Sequence, residues 1–174
     1  MTSFSLHPFP GQDSGGITIR GTIERTEQSI ILSFCLQGNL DDLVLPTAPT
    51  RERRDNLWQA TCLEMFWGEA GEKNYWEMNL APNGAWNVYA FTGYRAGMHR
   101  EERVSEPAVT TARTPDTFTL TAQLDIASLN GSSPLRVGVS GVLQHRENRL
   151  SYWALAHPAE KPDFHASQSF LLRL

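Results

Sequence analysis

From Thr117 to Ile126 the chain alternates without a break. Phe118, Leu120, Ala122, Leu124 and Ile126 are apolar, and Thr117, Thr119, Thr121, Gln123 and Asp125 between them are polar. Successive side chains of an extended strand point to opposite faces, so this run buries one face and wets the other. The pattern recurs along the chain. Ile17, Ile19, Gly21 and Ile23 alternate with Thr18, Arg20, Thr22 and Glu24. After the polar turn Thr26 to Gln28 come Ile30, Leu32, Phe34 and Leu36, which predicts a hairpin. Leu135, Val137, Val139 and Leu143 form another apolar row. Ala60 to Trp67 and Tyr75 to Ala81 are joined by the Gly-rich GEAGEKN, and PNGA (Pro82 to Ala85) leads into Trp86 to Thr92. Pro followed closely by Asn-Gly suits a tight antiparallel turn. Leu150 to Ala156 and Ser167 to Leu172 complete the set. No long segment has a 3.6-residue period; Asp125 to Asn130 is expected to make one helical turn before Gly131.

About ten short strands separated by turns predict an all-β fold, an antiparallel β-sandwich. With 174 residues and no boundary or repeat, one domain over residues 1–174 is expected. Leu40 to Asn56 is the longest irregular stretch, and loops of that length are often functional or mobile.

Charge narrows the partners. The net charge is −4, with a pI near 5.7, so nothing favours nucleic acid, which needs a basic surface. The one basic cluster, Arg51, Arg53 and Arg54, is interleaved with Glu52 and followed by Asp55, and reads as a solvated loop. The first residues carry no signal-peptide pattern and no run is long enough to span a membrane. Cys35 and Cys62 lie in apolar strand patterns and read as reduced, buried thiols. A cytoplasmic protein is expected.

Three features exceed what a plain sandwich needs. The first is five Trp, of which Trp58, at the exit of the long loop, and Trp153, on the polar parity of its strand with Ser151, are the candidates for stacking on a sugar or another planar ligand. The second is polar groups within apolar strands. Glu64 shares a face with Cys62 and Phe66, and Glu77 with Tyr75 and Asn79. A buried carboxylate is costly without a partner. Arg95, in FTGYRAGM, is the candidate for a structural ion pair, and ligand hydroxyls are the functional alternative. The third is SYWALAHPAEKPDFH, Ser151 to His165. His157, Asp163 and His165 are metal-ligand types, but no Cys accompanies them and Pro158 and Pro162 intervene. The loop reads instead as a stiff cleft wall. No phosphate-binding loop, GxSxG, HExxH or CxxC pair is present.

The segments LWQATCLEMFWGEAGEKNYWEMNLAPNGAWNVYAFTGYRAGM and YWALAHPAEKPDFH resemble DOMON-like proteins related to family 9 carbohydrate-binding modules, and more narrowly a small single-domain bacterial branch. That branch shows Trp, Cys, Glu and Phe on one strand, then Tyr-x-Glu-x-Asn, Pro-x-Gly-x-Trp, Tyr-Arg and a terminal Pro-Asp-Phe-His. The match runs from about Phe4 to the end. The resemblance implies a β-sandwich with a ligand site on or beside one sheet. In the sugar-binding relatives two Trp clamp a terminal sugar while a carboxylate, an Arg and amides bind its hydroxyls. Here Trp58 is similar to the first clamp, Glu64 to the carboxylate, Arg95 to the Arg, Gln144 to an amide contact and Trp153 to the second clamp. The redox relatives hold haem through Met and His; Met65, Met78, Met98 and five His are available, without a compelling pair.

The expectation is therefore a sandwich that binds a small polar ligand, a carbohydrate, without turning it over and without a cofactor. Trp58, Trp153, Glu64, Glu77, Asn79, Arg95 and Gln144 would hold it, with His145, His157, Asp163 and His165 on the rim. The alternatives are a haem- or metal-binding redox domain, a glycan-acting enzyme using Glu64 and Glu77 as paired carboxylates, and a scaffold whose aromatic surface meets a protein.

Overall fold

The computed structural model describes residues 1–46, 48–129 and 133–174. Among them are twelve strands: β1 (Thr2–Pro8), β2 (Thr18–Arg25), β3 (Ser29–Gln37), β4 (Cys62–Glu69), β5 (Tyr75–Leu80), β6 (Trp86–Phe91), β7 (His99–Arg100), β8 (Ala108–Arg113), β9 (Thr117–Asp125), β10 (Leu135–Gln144), β11 (Leu150–Ala154) and β12 (Leu172–Arg173). All pair antiparallel, in the order β7-β6-β5-β4-β10-β11-β1-β2-β3-β9-β8, with β12 beside β10. β1 is the hinge of this continuous sheet. Its first part pairs with β2 and its last residues, His7 and Pro8, pair with β11. The sheet thereby folds over on itself into two layers.

The alternating strands behave as their pattern dictates. β9 buries Phe118, Leu120, Ala122 and Leu124, and the hairpin β2–β3 closes in register from Thr18↔Gln37 to Arg25↔Ile30. These faces meet Leu63, Met65, Trp67, Trp76, Met78, Val88, Val137 and Val139 from the other layer in one core. Gly21 shows how tight the layers are: a Cβ there would lie 2.1 Å from the Ser33 carbonyl oxygen and 2.4 Å from the Phe4 ring.

The structure differs from expectation at the ends of the chain and at two edges. β1, β7 and β8 are not visible in the pattern, because they are short or have no sustained alternation. The expected strand at Ser167 to Leu172 is a 3-10 turn, Ser167–Ser169, followed by the two-residue β12. Ala127 to Leu129 form a turn; Asn130 and Gly131 lie outside the described residues. Of the thiols, Cys62 is buried and Cys35 is only partly so; neither forms a disulfide.

β4, β5 and β6 carry the feature that positions the site. They are buried on both faces. Their inner side chains enter the main core. The outer face is covered by a second aromatic cluster, Phe66, Tyr75, Tyr89, Phe91 and Phe170, against which Trp58 and Phe164 pack. The cover comes from the segment after β11 and from the loop before β4.

Candidate functional site

The loop before β4 is pinned rather than free. Arg54 N–H donates to the Trp86 carbonyl at 2.9 Å and Trp86 N–H to the Glu52 carbonyl at 3.0 Å. Arg53, expected from the sequence to be solvated, donates to Asn87 Oδ1 at 2.9 Å and to the Glu101 carbonyl at 2.8 Å, with its guanidinium over the Trp86 ring. Asp55 accepts from Tyr89 Oη at 2.8 Å and Asn87 Nδ2 at 2.9 Å, and pairs with Arg100. Arg100 and then Tyr89 hold its carboxyl down to about 2. Asn56 turns the chain through a left-handed conformation, φ 62°, into the 3-10 turn Leu57–Gln59. That places Trp58 edge-on to Tyr89 at 5.8 Å.

Trp58 forms one wall of a cavity of about 360 Å³ over the outer face of β4, β5 and β10. Glu64 and Glu77 form its floor, and Phe66, Phe91 and Tyr152 line it from three strands. Pro162, Phe164 and His165 close one side, and Arg95 and Met98 stand at the mouth. The volume lies at the lower end of the range for small-molecule sites.

The floor is electrostatically unusual. Glu64 and Glu77 are 2% and 4% exposed. Glu64 pairs across the strands with Asn79, and Phe66 with Glu77, so the two carboxyls are diagonal neighbours on one face. Ser140 Oγ donates to Glu64 Oε2 at 2.9 Å, and Asn79 Nδ2 to Glu77 Oε1 at 2.8 Å. Burial, then the neighbouring Glu77, pushes Glu64 up to about 8; burial pushes Glu77 up to about 7. At neutral pH the pair therefore retains a proton, because two bare carboxylates this close and this dry cannot both ionise cheaply.

Arg95 makes no ion pair with either, although its charge lowers Glu77 from a distance. It pairs with Asp163 at 2.9 Å, and Asp163 also accepts from Tyr94 Oη at 2.6 Å. The structural Arg–Glu pair expected from the sequence is thus replaced by an Arg95–Asp163 pair at the mouth. The Arg95 backbone, left-handed at φ 50°, donates its N–H to Tyr75 Oη at 3.2 Å. Tyr75 Oη lies 2.8 Å from His165 Nδ1, so its proton is assigned to that bond. His165 Nε2 then carries the ring proton and faces Glu77 Oε2 at 3.9 Å. Burial, then Arg95, lowers His165 to about 4 and keeps it neutral.

Of the residues singled out from sequence, the cavity brings together Trp58, Glu64, Glu77, Arg95 and His165. Asp163 orients Arg95, and Asn79 supports Glu77 from behind while accepting from the Cys62 thiol at 3.4 Å. Four others lie elsewhere. Trp153 is 2% exposed and sits in the main core. Its polar-parity neighbour Ser151 faces the core too, accepting the Trp153 indole N–H at 3.0 Å. His145 completes that chain, 2.9 Å from Ser151 Oγ through Nε2 and 2.6 Å from Asp42 Oδ2 through Nδ1. The order Asp-His-Ser is that of a nucleophilic triad, but Ser151 is fully buried and no substrate reaches it. Gln144 points along the same face as the cavity but beyond it, near Asn148 at 3.4 Å. His157 contacts the His7 carbonyl at 2.9 Å and the edge of Phe9. Sequence reasoning missed Phe66, Phe91, Tyr152 and Phe164 as cavity walls; the first three have the types and strand positions of ordinary core aromatics, and Phe164 stands in a turn after β11.

The donor set suits neither a metal nor a haem. Among the described residues no three His, Cys, Asp or Glu side chains converge. Met65 and Met78 are buried in the main core, and only Met98 shares the cavity with a histidine. That histidine, His165, is packed by Phe66 and Phe91 at 5.1 and 5.2 Å, and its Nδ1 is engaged by Tyr75.

No family model matches the sequence, and no curated protein matches it. Solved structures do match in fold. A candidate carbohydrate-binding protein from Bacteroides uniformis superposes with a TM-score of 0.70 at 12% identity, over 97% of this chain and 83% of that one. The fold is similar to that of family 9 carbohydrate-binding modules. One such module from Caldicellulosiruptor kristjanssonii, in complex with cellotriose, matches with a TM-score of 0.62 at 10% identity, over 91% of this chain and 74% of that one. A family 9 module from the same organism in complex with glucose gives 0.53 at 9% identity, over 87% of this chain and 72% of that one. At these identities the likeness concerns the fold, and the ligand must be argued from the cavity.

Proposed function

We propose that the protein is a non-catalytic binding module for a small carbohydrate, held in the cavity between Trp58 and the Glu64–Glu77 floor. The observation that carries this reading is the cavity itself, in which an indole wall faces buried carboxyls across a small space. An indole offers a flat apolar surface to the C–H face of a sugar ring, and carboxyl oxygens accept its hydroxyls. The modules of similar fold that hold cellotriose and glucose support the same reading by analogy. The finer kinship with DOMON-like proteins rests on the ordered motifs of the sequence. Arg95, fixed by Asp163, supplies a directional donor at the mouth.

The test is a thermal-shift and Trp-fluorescence screen of mono- and oligosaccharides. A ligand of the folded state raises the melting temperature by mass action. A saturable response lost in Trp58→Ala supports the reading, and no response to any sugar removes it. One observation favours a second reading. Glu64 and Glu77 stand as diagonal neighbours on the cavity floor, both pushed up by burial, and a glycan-acting enzyme needs one such carboxyl protonated and the other ionised. Turnover of a bound glycan, lost in Glu64→Gln with binding kept, would establish it.

A further inference from the structure

The cavity floor has more negative charge than its walls can answer. Glu64 and Glu77 each have one oxygen satisfied, by Ser140 and Asn79. The remaining oxygens, Glu64 Oε1 and Glu77 Oε2, accept no hydrogen bond from the described residues, although both side chains are more than nine-tenths buried. Arg95 is the one Lys or Arg among the cavity-lining residues, and Asp163 already matches its charge. His165 is held neutral. The other titratable groups beside the pair, Tyr75 and Cys62, are pushed up by burial and are uncharged at neutral pH. With one proton held between them the pair carries one negative charge that opens onto the cavity and that Arg95, bonded to Asp163, reaches only from a distance.

The walls complete the pattern. Trp58, Phe66, Phe91, Tyr152 and Phe164 surround the same space. Aromatic faces attract cations, and an aromatic cage over carboxylates is the arrangement that recognises organic ammonium groups. A bare metal ion is a poor fit, since the rings supply no oxygen ligands and no third acidic group converges among the described residues. A neutral sugar satisfies the free oxygens through hydroxyls but leaves the charge unmatched.

We propose that the cavity selects a ligand carrying an organic ammonium group, so that the sugar it binds is an amino sugar with its nitrogen against Glu64 and Glu77. The choice of a sugar rests on the carbohydrate reading above; the ammonium preference rests on the two half-satisfied carboxyls and the aromatic walls. Entry of the cation favours the ionised form of both carboxyls, so binding at neutral pH expels the shared proton.

The experiment is calorimetry on the full chain at neutral pH with glucosamine, glucose, N-acetylglucosamine and choline. The expected result is that glucosamine binds at least about tenfold more tightly than glucose or its neutral acetylated form, the scale of one charge-assisted contact. Its enthalpy should vary with the ionisation heat of the buffer, reporting proton release. In Glu64→Gln/Glu77→Gln, checked for folding by its melting curve, the preference should vanish. Equal or tighter binding of glucose overturns the ammonium inference and leaves the carbohydrate reading standing. Binding of choline without any sugar supports the ammonium inference and removes the carbohydrate reading. No binding of any of the four overturns the inference.

Discussion

Replacing both floor carboxyls with their neutral isosteres should make the protein less sensitive to alkali. In the folded chain Glu64 and Glu77 hold their protons up to about 8 and about 7, against an ordinary value of 4.5. A carboxyl whose folded pKa is raised contributes stability below its unfolded pKa and loses it as pH rises through the folded one, because the folded state binds more protons. His165 acts with the opposite sign. Its folded pKa is lowered to about 4, so its contribution is intact above about 6.5 and fades as pH falls from there. The interval from about pH 6.5 to 8 therefore isolates the acid pair. A proton held by the folded chain but not by the unfolded one changes stability by about 1.4 kcal/mol for each pH step of one, so the wild-type chain should lose about 2 kcal/mol across that interval. For a chain of this size that is about 4–8 °C in melting temperature. Glu64→Gln/Glu77→Gln removes the titrating groups while keeping the shape of the floor, and its curve should be flat by comparison. The assay is thermal denaturation at closely spaced pH values with ionic strength held constant. A wild-type curve that is flat, or that rises, relative to the variant between pH 6.5 and 8 refutes the claim that these carboxyls are buried and mutually repelled.

Further expectations concern the scaffold. Trp153→Ala should cost about 3–5 kcal/mol, as truncations of buried aromatics do, and leave ligand affinity of the folded protein unchanged; chemical denaturation and a binding isotherm report the two. Arg95→Ala breaks a pair whose Arg side chain is 51% exposed, so it should cost under about 1 kcal/mol of stability yet weaken sugar binding, because Arg95 stands at the cavity mouth. Gly21→Ala drives a methyl into the Ser33 carbonyl and the Phe4 ring, and denaturation should show a loss of about 1–3 kcal/mol with binding retained.

The sandwich is legible in the sequence wherever one face of a strand is wet. β9 and the β2–β3 hairpin alternate because their outer faces meet solvent, and their registers follow from the pattern. β1 escapes a reading of the pattern because only Phe4 and Leu6 mark its buried face and part of its pairing, with β11, is distant in sequence. The acidic floor is legible because a Glu inside an apolar strand is costly and demands an explanation. The partner of Arg95 is not, since Asp163 and Arg95 come together only through the fold. Trp153 shows how parity can mislead: Ser151 beside it has the look of a wet face. In the structure Ser151 is a buried acceptor, tied to His145 and to the Trp153 indole itself. A small polar residue satisfied inside the core has the same sequence signature as one facing water.

The central claim is that ligand meets protein at Trp58 and not at the buried indoles. The most direct measurement is a titration followed by the five Trp indole N–H signals in nuclear magnetic resonance, using glucosamine as the ligand. The account predicts that the Trp58 signal moves saturably while those of Trp67, Trp76 and Trp153, packed in the core, stay in place. Saturable binding that moves Trp153 and leaves Trp58 unchanged would contradict it.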